Sequence, residues 1–227
     1  MAAAAERFAL AADRAIAASG RFVVSLAGGS TPERLYRLLA TEPYRSRVGW
    51  PSVQVFWGDE RCVPPDHAAS NYGMSRRALL DSVALLPENI YRIRGEDPPP
   101  AAADAYEATL RSRCPAPAGC FDLVLLGLGR DGHTASLFPG SGAVRERSRW
   151  VCAVSAPVPP SRITLTPVIL AAAREVVFLV TGPEKATALN LALHGPEKPD
   201  QQPAQAVASG NQNVRWLVDS LAAGQTA

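Results

Sequence analysis

No stretch of this chain approaches the 18 or so consecutive apolar residues that a membrane-crossing helix requires, so no membrane span is expected. Cysteine is sparse: Cys62, Cys114, Cys120 and Cys152 form no CxxC pair and no Cys/His cluster at zinc spacing. They read as reduced thiols of a cytoplasmic protein, with no metal held. Charge of one sign is also lacking. The net charge is +2, with no long basic run and no aromatic-basic interleaving, which argues against nucleic acid as a partner. A small anionic ligand needs only a few local cations and stays open. Several catalytic signatures are absent: GxxxxGK[ST], GxGxxG, HxH, HExxH and a serine in a nucleophile elbow. Histidine is scarce as well, at three in 227 residues, so the surroundings of each one carry weight.

What is present is ordinary globular material. Apolar residues make up 47% and charged residues 19%, enough for a sizeable core, and the whole chain, 1–227, is expected to form one domain. The alanine-rich start carries Glu6 and Asp13 and lacks a basic leader, so it reads as an amphipathic helix rather than a signal peptide. Apolar runs at 22–27, 53–57, 121–128 and 176–181, with a weaker one at 150–155, are short and mostly not alternating. That is the pattern of parallel strands covered on both faces. Helical stretches at 3–18, 32–40, 71–83, 102–113, 167–173 and 185–193 alternate with them. The alternation predicts a Rossmann-like α/β three-layer sandwich, a central mostly parallel sheet with helices on both faces. Proline-rich pieces at 97–101, 114–119 and 156–161 punctuate the chain, 194–205 reads as a polar surface loop with some mobility, and the tail after Ala223 is expected to fray.

Four segments can carry chemistry. In SLAGGSTPE (25–33) a strand runs into Gly28 and Gly29, and either Thr31 before Pro32 or Ser30 with Glu33 would cap a helix. Free N–H groups and the positive end of a helix dipole make a phosphate cradle, although a well-capped strand-to-helix turn has the same look. In FWGDERCV (56–63) the charges Asp59, Glu60 and Arg61 emerge from a buried run. They are either a solvated strand end with Arg61 paired to a carboxylate, or a place where the planar guanidinium binds an anion. LVLLGLGRDGHTASLFP (123–139) puts Asp131 and His133 on a glycine-rich turn at a strand's carboxyl end, where open α/β sheets place their sites. Asp131 can orient the imidazole, imidazoles in general suit base work near neutral pH, and the T-A-S that follows can start a helix. His67 and His194, in polar proline-flanked loops, read as structural. PSRITLTP (160–167) and GPEK (182–185) add Arg162 and Lys185, two cations that would complete a site for a phosphorylated ligand.

These segments, from position 25 to about 188 and in the same order, resemble the 6-phosphogluconolactonase family, the soluble lactonases of the pentose phosphate pathway. The glucosamine-6-phosphate deaminase/isomerases share the G-x-D-G-H loop, but there a glutamate supports the catalytic histidine where this chain has Phe138, and a tyrosine stands where it has Arg61. Within the lactonase pattern, Ser161 departs from a frequent proline. The resemblance implies hydrolysis of 6-phospho-D-glucono-1,5-lactone to 6-phosphogluconate without metal or organic cofactor. It implies His133 as the base that activates water, Asp131 as its orienting group, and Arg61 as a group that positions substrate or holds the oxyanion. Asp59 would touch substrate, and the phosphate would lie among Gly28, Gly29, Ser30, Thr31, Arg162 and Lys185. The expected partner is the sugar-phosphate lactone alone, with no nucleic acid and no membrane, and the protein is expected to be a monomer, a weak dimer being the alternative. An isomerase using Asp59 as its carboxylate is the main rival. A non-catalytic sugar-phosphate sensor would not need the His133–Asp131 pair, and a nicotinamide enzyme would need the missing glycines.

Overall fold

Runs of Val, Leu and Phe with no polar alternation have to be covered on both faces, and the sheet they form follows from that requirement. The structure, a computed structural model, describes residues 1–114 and 116–224. Its strands are β1 (Phe22–Leu26), β2 (Val53–Trp57), β3 (Asp59–Arg61), β4 (Leu123–Gly127), β5 (Val151–Val154), β6 (Arg162–Leu165), β7 (Val176–Val180) and β8 (Val214–Val218). Its helices are α1 (Ala2–Ser19), α2 (Ser30–Leu39), α3 (Tyr44–Arg47), α4 (Asn71–Ala78), α5 (Pro99–Arg113), α6 (Pro167–Leu170), α7 (Ala186–His194) and α8 (Pro203–Ala208). Five strands form one parallel sheet in the order β2-β1-β4-β7-β8, with helices around it: the expected three-layer α/β architecture. Every residue of β1 and β7 is buried.

The strand order has a consequence for function. From β1 the chain adds β2 on one side, and all later strands of this sheet add on the other. Connections therefore leave the carboxyl ends of β1 and β4 in opposite directions and keep a crevice open between them, the place where open α/β sheets bind ligands.

A second, antiparallel sheet has the order β3-β6-β5. The weak run at 150–155 belongs here and not to the parallel sheet, because a short run of strand formers does not encode its partner. The changeover occurs at Gly58: its N–H donates to Leu26 O on the β1 side at 2.9 Å, and its carbonyl accepts from Leu165 N at 2.8 Å. The strand that ends one sheet thus begins the next, above the carboxyl edge of β1.

Other expectations shift at their boundaries. α5 starts at Pro99, not at 102, since prolines suit a first helical turn. Two helices are shorter than expected: α4 ends at Ala78 and gives way to a 3-10 turn, and α6 ends at Leu170. α3, α8 and β8 were not foreseen. The edge strand β8 carries Arg215 and is only half-buried, so it lacks the apolar signature of its neighbours. Contrary to the expectation of four reduced thiols, Cys114 and Cys120 form a disulfide, because the turn after α5 brings their Cα atoms to 5.2 Å, while Cys62 and Cys152 are free. Pro115 within the 114–119 piece, and residues 225–227 of the tail expected to fray, lie outside the described residues. No described helix is long and apolar enough to cross a membrane.

α1 lies on the sheet through Ala4, Ala5, Phe8, Ala9, Ala12 and Ala15, whose small side chains permit a close approach. Its Phe8 meets Phe22 edge-on at 5.3 Å. On β7, Phe178 is fully buried and stacks on Trp216 at 4.0 Å, which fastens the edge strand. Phe178→Ala is expected to lower stability by about 3–5 kcal/mol through lost burial and a cavity. Urea unfolding checks this: the midpoint should fall with an unchanged slope, and a loss below about 1 kcal/mol would show that the site can collapse.

Candidate functional site

At the switch-point crevice lies a cleft of about 500 Å³. A second lobe of about 310 Å³ adjoins it. Asp59, Arg61, His133 and Ala135 line both lobes, so these residues stand at their junction.

His133 reaches this junction because β4 ends in a loop that only glycine permits. A β-carbon at Gly129 would collide with the imidazole and with the Asp131 carboxylate, and Gly132 has φ 82°. Gly129 N–H donates to the His133 carbonyl at 2.7 Å, which folds the loop back on itself. Asp131 Oδ1 lies 2.5 Å from His133 Nδ1 and accepts from the His133 N–H at 3.2 Å. The pairing turns the other ring nitrogen away from Asp131. Burial alone would raise the Asp131 carboxyl, but the imidazole beside it and these hydrogen bonds hold it below the usual carboxylate range. Phe138 packs against the imidazole, ring centroids 5.1 Å apart. The T-A-S after the histidine does not start a helix. It forms a tight turn in which Leu137 N–H donates to Thr134 O at 2.9 Å, because Thr134 Oγ1 is drawn back to Gly127 O at 2.8 Å.

The glycine loop also differs from expectation in its cap. α2 begins at Ser30, with Gly29 at the N-cap position (φ 102°), and among the described residues no side chain caps it. Neither the Thr31 cap nor the Ser30–Glu33 box forms. Thr31 Oγ1 instead shares a hydrogen bond with Thr181 Oγ1 at 2.6 Å, and Arg34 donates to that same Thr181 oxygen at 2.8 Å. The first N–H groups of α2 are thereby left facing the larger lobe, where Gly28, Gly29, Ser30, Thr31, Arg34 and Lys185 meet. Lys185 closes a 3-10 turn directly before α7, and it is one of only two lysines in the chain.

The charges of D-E-R are not a solvated strand end. Asp59 is 8% exposed and Glu60 2%. Asp59 Oδ1 accepts from Asn71 Nδ2 at 3.1 Å and Oδ2 from Ser136 Oγ at 2.6 Å. Glu60 accepts from Ser70 Oγ and from the N–H groups of Asn71 and Tyr72 at 2.7–3.0 Å, capping α4 with a buried carboxylate. Burial pushes its carboxyl up, and those hydrogen bonds pull the other way. Among the described residues Arg61 pairs with no carboxylate; it donates to Ala69 O at 2.6 Å. Arg162 sits opposite it across the β3–β6 pair and lines the smaller lobe only. Burial and then Arg61 push its guanidinium below its usual range, and it donates to the Pro160 carbonyl. The structure therefore brings the 28–31 loop and Lys185 together but leaves Arg162 in the other lobe, with Arg61 between them.

Asn71, Ser136 and Arg34 join the site without having been singled out in the sequence. Asn71 occupies the space a β-carbon at Gly28 would need. A polar side chain whose partners are 12 or 77 positions away leaves no local pattern. His67 and His194 are exposed and line neither lobe. The 194–205 segment is a surface loop over 195–202, as expected, but it runs into α8 and is anchored to the rest of the chain. Gln205 is buried and accepts from Lys198 N–H at 2.8 Å, Ala204 N–H donates to Gly132 O at 3.2 Å, and Gly140 N–H donates to Asp200 O at 2.7 Å. The segment thus braces the histidine loop from behind at two points.

A parallel sheet with a His–Asp pair and cations at its switch point defines an α/β protein built to handle a small anionic ligand. Comparison with known proteins makes this specific. A family model described as glucosamine-6-phosphate isomerases/6-phosphogluconolactonase matches residues 1–216, and the chain belongs to that family. It is 42% identical to the 6-phosphogluconolactonase of Mycobacterium tuberculosis, over 99% of this chain and 93% of that one. It is 37% identical to that of Haemophilus influenzae, over 88% and 85%. Among solved structures, the 6-phosphogluconolactonase of Trypanosoma brucei superposes with a TM-score of 0.84 at 31% identity, covering 100% of this chain and 94% of that one. A monomeric glucosamine-6-phosphate deaminase superposes with a TM-score of 0.80 at 24% identity, over 96% of this chain and 95% of that one, which shows a shared fold.

The electrostatics of the histidine loop are open to test. A folded-state pKa below the ordinary 3.8 means that Asp131 contributes stability above its unfolded pKa and loses it as pH falls through the folded value. The stability gap between wild type and Asp131→Asn is thus expected to be open at pH 7 and to close towards pH ~3. Urea midpoints measured from pH 7 down to pH ~3 check this, and a gap that widened on acidification would contradict it.

Proposed function

We propose that the chain hydrolyses 6-phospho-D-glucono-1,5-lactone to 6-phospho-D-gluconate, the reaction for which its relatives are named, with His133 activating water and without a metal ion. His133, oriented by Asp131, takes a proton from water as the oxygen attacks C1. The lactone is an activated ester, so neither a covalent intermediate nor a Lewis acid is required. The imidazolium then returns its proton to the departing ring oxygen. The N-terminus of α2, with Lys185, receives the phosphate, Arg61 steers the substrate at the junction, and Arg162 adds positive charge to the second lobe. Every group invoked comes from one chain, so a monomer suffices.

The observation that carries this reading over isomerisation or deamination is the pairing at the junction. Moving a proton between carbons needs a carboxylate free to face the substrate. The candidate, Asp59, lines both lobes, but each of its oxygens already accepts a hydrogen bond, from Asn71 and Ser136, which leaves less of it available to a substrate proton. Phe138 covers the imidazole at the position where the deaminases hold their glutamate.

His133→Ala is expected to lower lactone hydrolysis by about 10²–10⁴-fold once the spontaneous rate is subtracted, and near-wild-type activity would remove His133 as the base. Lys185→Ala should raise KM with little change in kcat, because a phosphate contact is made equally in ground and transition states. An unchanged KM would take Lys185 out of the phosphate site, and ammonia release from glucosamine 6-phosphate would favour the deaminase reading.

A further inference from the structure

We propose that the backbone N–H of Ala135 is the donor that holds the lactone's carbonyl oxygen as it becomes an oxyanion, and that Ser136 is the positioning residue that keeps it in place. The inference rests on the lactonase reading and names a further group of that site. Ala135 is the one non-glycine residue with positive φ, 48°, among the described residues. A β-carbon disfavours this conformation, which persists only where neighbouring contacts over-determine it. Here they do. On one side Thr134 Oγ1 donates to Gly127 O at 2.8 Å. On the other, Ser136 Oγ donates to Asp59 Oδ2 at 2.6 Å and its N–H to Thr164 Oγ1 at 3.1 Å. Thr134 and Ser136 are each 1% exposed, yet Ala135 between them lines both lobes beside His133.

Among the described residues nothing accepts a hydrogen bond from Ala135 N–H, while the side chains of Thr134 and Ser136 and the Ser136 N–H are engaged. A fixed, unused backbone donor two residues from the base is what a developing negative charge requires, since it costs no reorganisation during reaction. Arg61 is less free for this task, with one arm of its guanidinium held by Ala69 O. As water adds to C1 and its proton passes to His133, the carbonyl π pair moves onto oxygen and is met by Ala135 N–H. The pair returns as the bond from C1 to the ring oxygen breaks, and that oxygen takes the proton from His133.

The test compares kcat and KM for freshly prepared lactone, with spontaneous hydrolysis subtracted, across wild type, Ala135→Pro, Ala135→Gly, Ser136→Ala and Ser136→Thr. Calorimetry with 6-phosphogluconate reads ground-state binding in each. Ala135→Pro removes the N–H and, with φ fixed at about −65°, also displaces the turn, so it should lower kcat by at least about 10²–10³-fold, whereas Ala135→Gly keeps the N–H, suits positive φ and should lose less. Ser136→Ala, which loosens the turn, should cost up to about 10²-fold in kcat, and Ser136→Thr should recover much of it. KM and 6-phosphogluconate affinity should hold in Ala135→Gly and in both Ser136 variants, a split that general structural damage would not produce. If Ala135→Pro fails to fold, the Ser136 pair decides. Wild-type kcat in Ser136→Ala, or kcat and affinity falling together, overturns the proposal alone. A wild-type protein that does not hydrolyse the lactone overturns the lactonase reading and this inference with it.

Discussion

The carboxylate of Asp59 ties together two pieces of chain that lie far apart in sequence. One oxygen receives the amide of Asn71 at the start of α4, and the other receives the hydroxyl of Ser136 in the turn after His133. Asn71 in turn fills the space beside Gly28, so the Gly28–Thr31 loop is built against the same amide. An unpaired charge at this depth would be costly, and a fully hydrogen-bonded one fixes geometry instead. Asp59 can take this place because the chain changes sheets at Gly58. The parallel sheet sets the height of the site, and the small antiparallel sheet brings Thr164 and Arg162 over it.

This dependence explains what could and could not be read from the sequence. The parallel sheet was legible because strands covered on both faces must be apolar throughout, as β1 and β7 are. β8 was not, since an edge strand with one wet face tolerates Arg215. The histidine loop was legible because glycines and a His–Asp pair lie within five residues of one another, and their geometry is local. The helix cap was misread for a related reason. Ser30 and Thr31 have the right identities for capping, but the hydroxyl of Thr181, 150 positions away, competes for Thr31. Glu60 looked like surface charge because a run of three charged residues is normally wet. Its burial depends on the N-terminus of α4 presenting N–H groups to it.

Support for the histidine also comes from behind. The 194–205 segment accepts from Gly140 and donates to Gly132, so the loop carrying Asp131, His133 and Phe138 is pinned at both ends by backbone bonds. Gln205 holds that segment through the carbonyls of Leu191 and Pro196 and the N–H of Lys198. Gly132 is glycine for two reasons: its φ is positive, and Gln202 lies where a β-carbon would stand. A general base works only as well as its ring is aimed, and errors of an ångström cost about 10²-fold. Polar residues with no part in chemistry can therefore matter to rate.

Fold alone does not separate a lactonase from a deaminase, since both superpose on this chain. The separation lies in which acids are free. An isomerising or deaminating enzyme must carry a proton between substrate atoms, which calls for a carboxylate that can both give and accept it at the substrate. In this site Asp131 is committed to His133, Asp59 to Asn71 and Ser136, and Glu60 to α4. What is left unengaged is complementary to ester hydrolysis: one imidazole nitrogen to take a proton from water, backbone N–H groups to meet negative charge, and cations to hold a phosphate. Opening a lactone asks for no more than these, because one imidazole suffices both to take the proton from water and to return it to the ring oxygen that leaves.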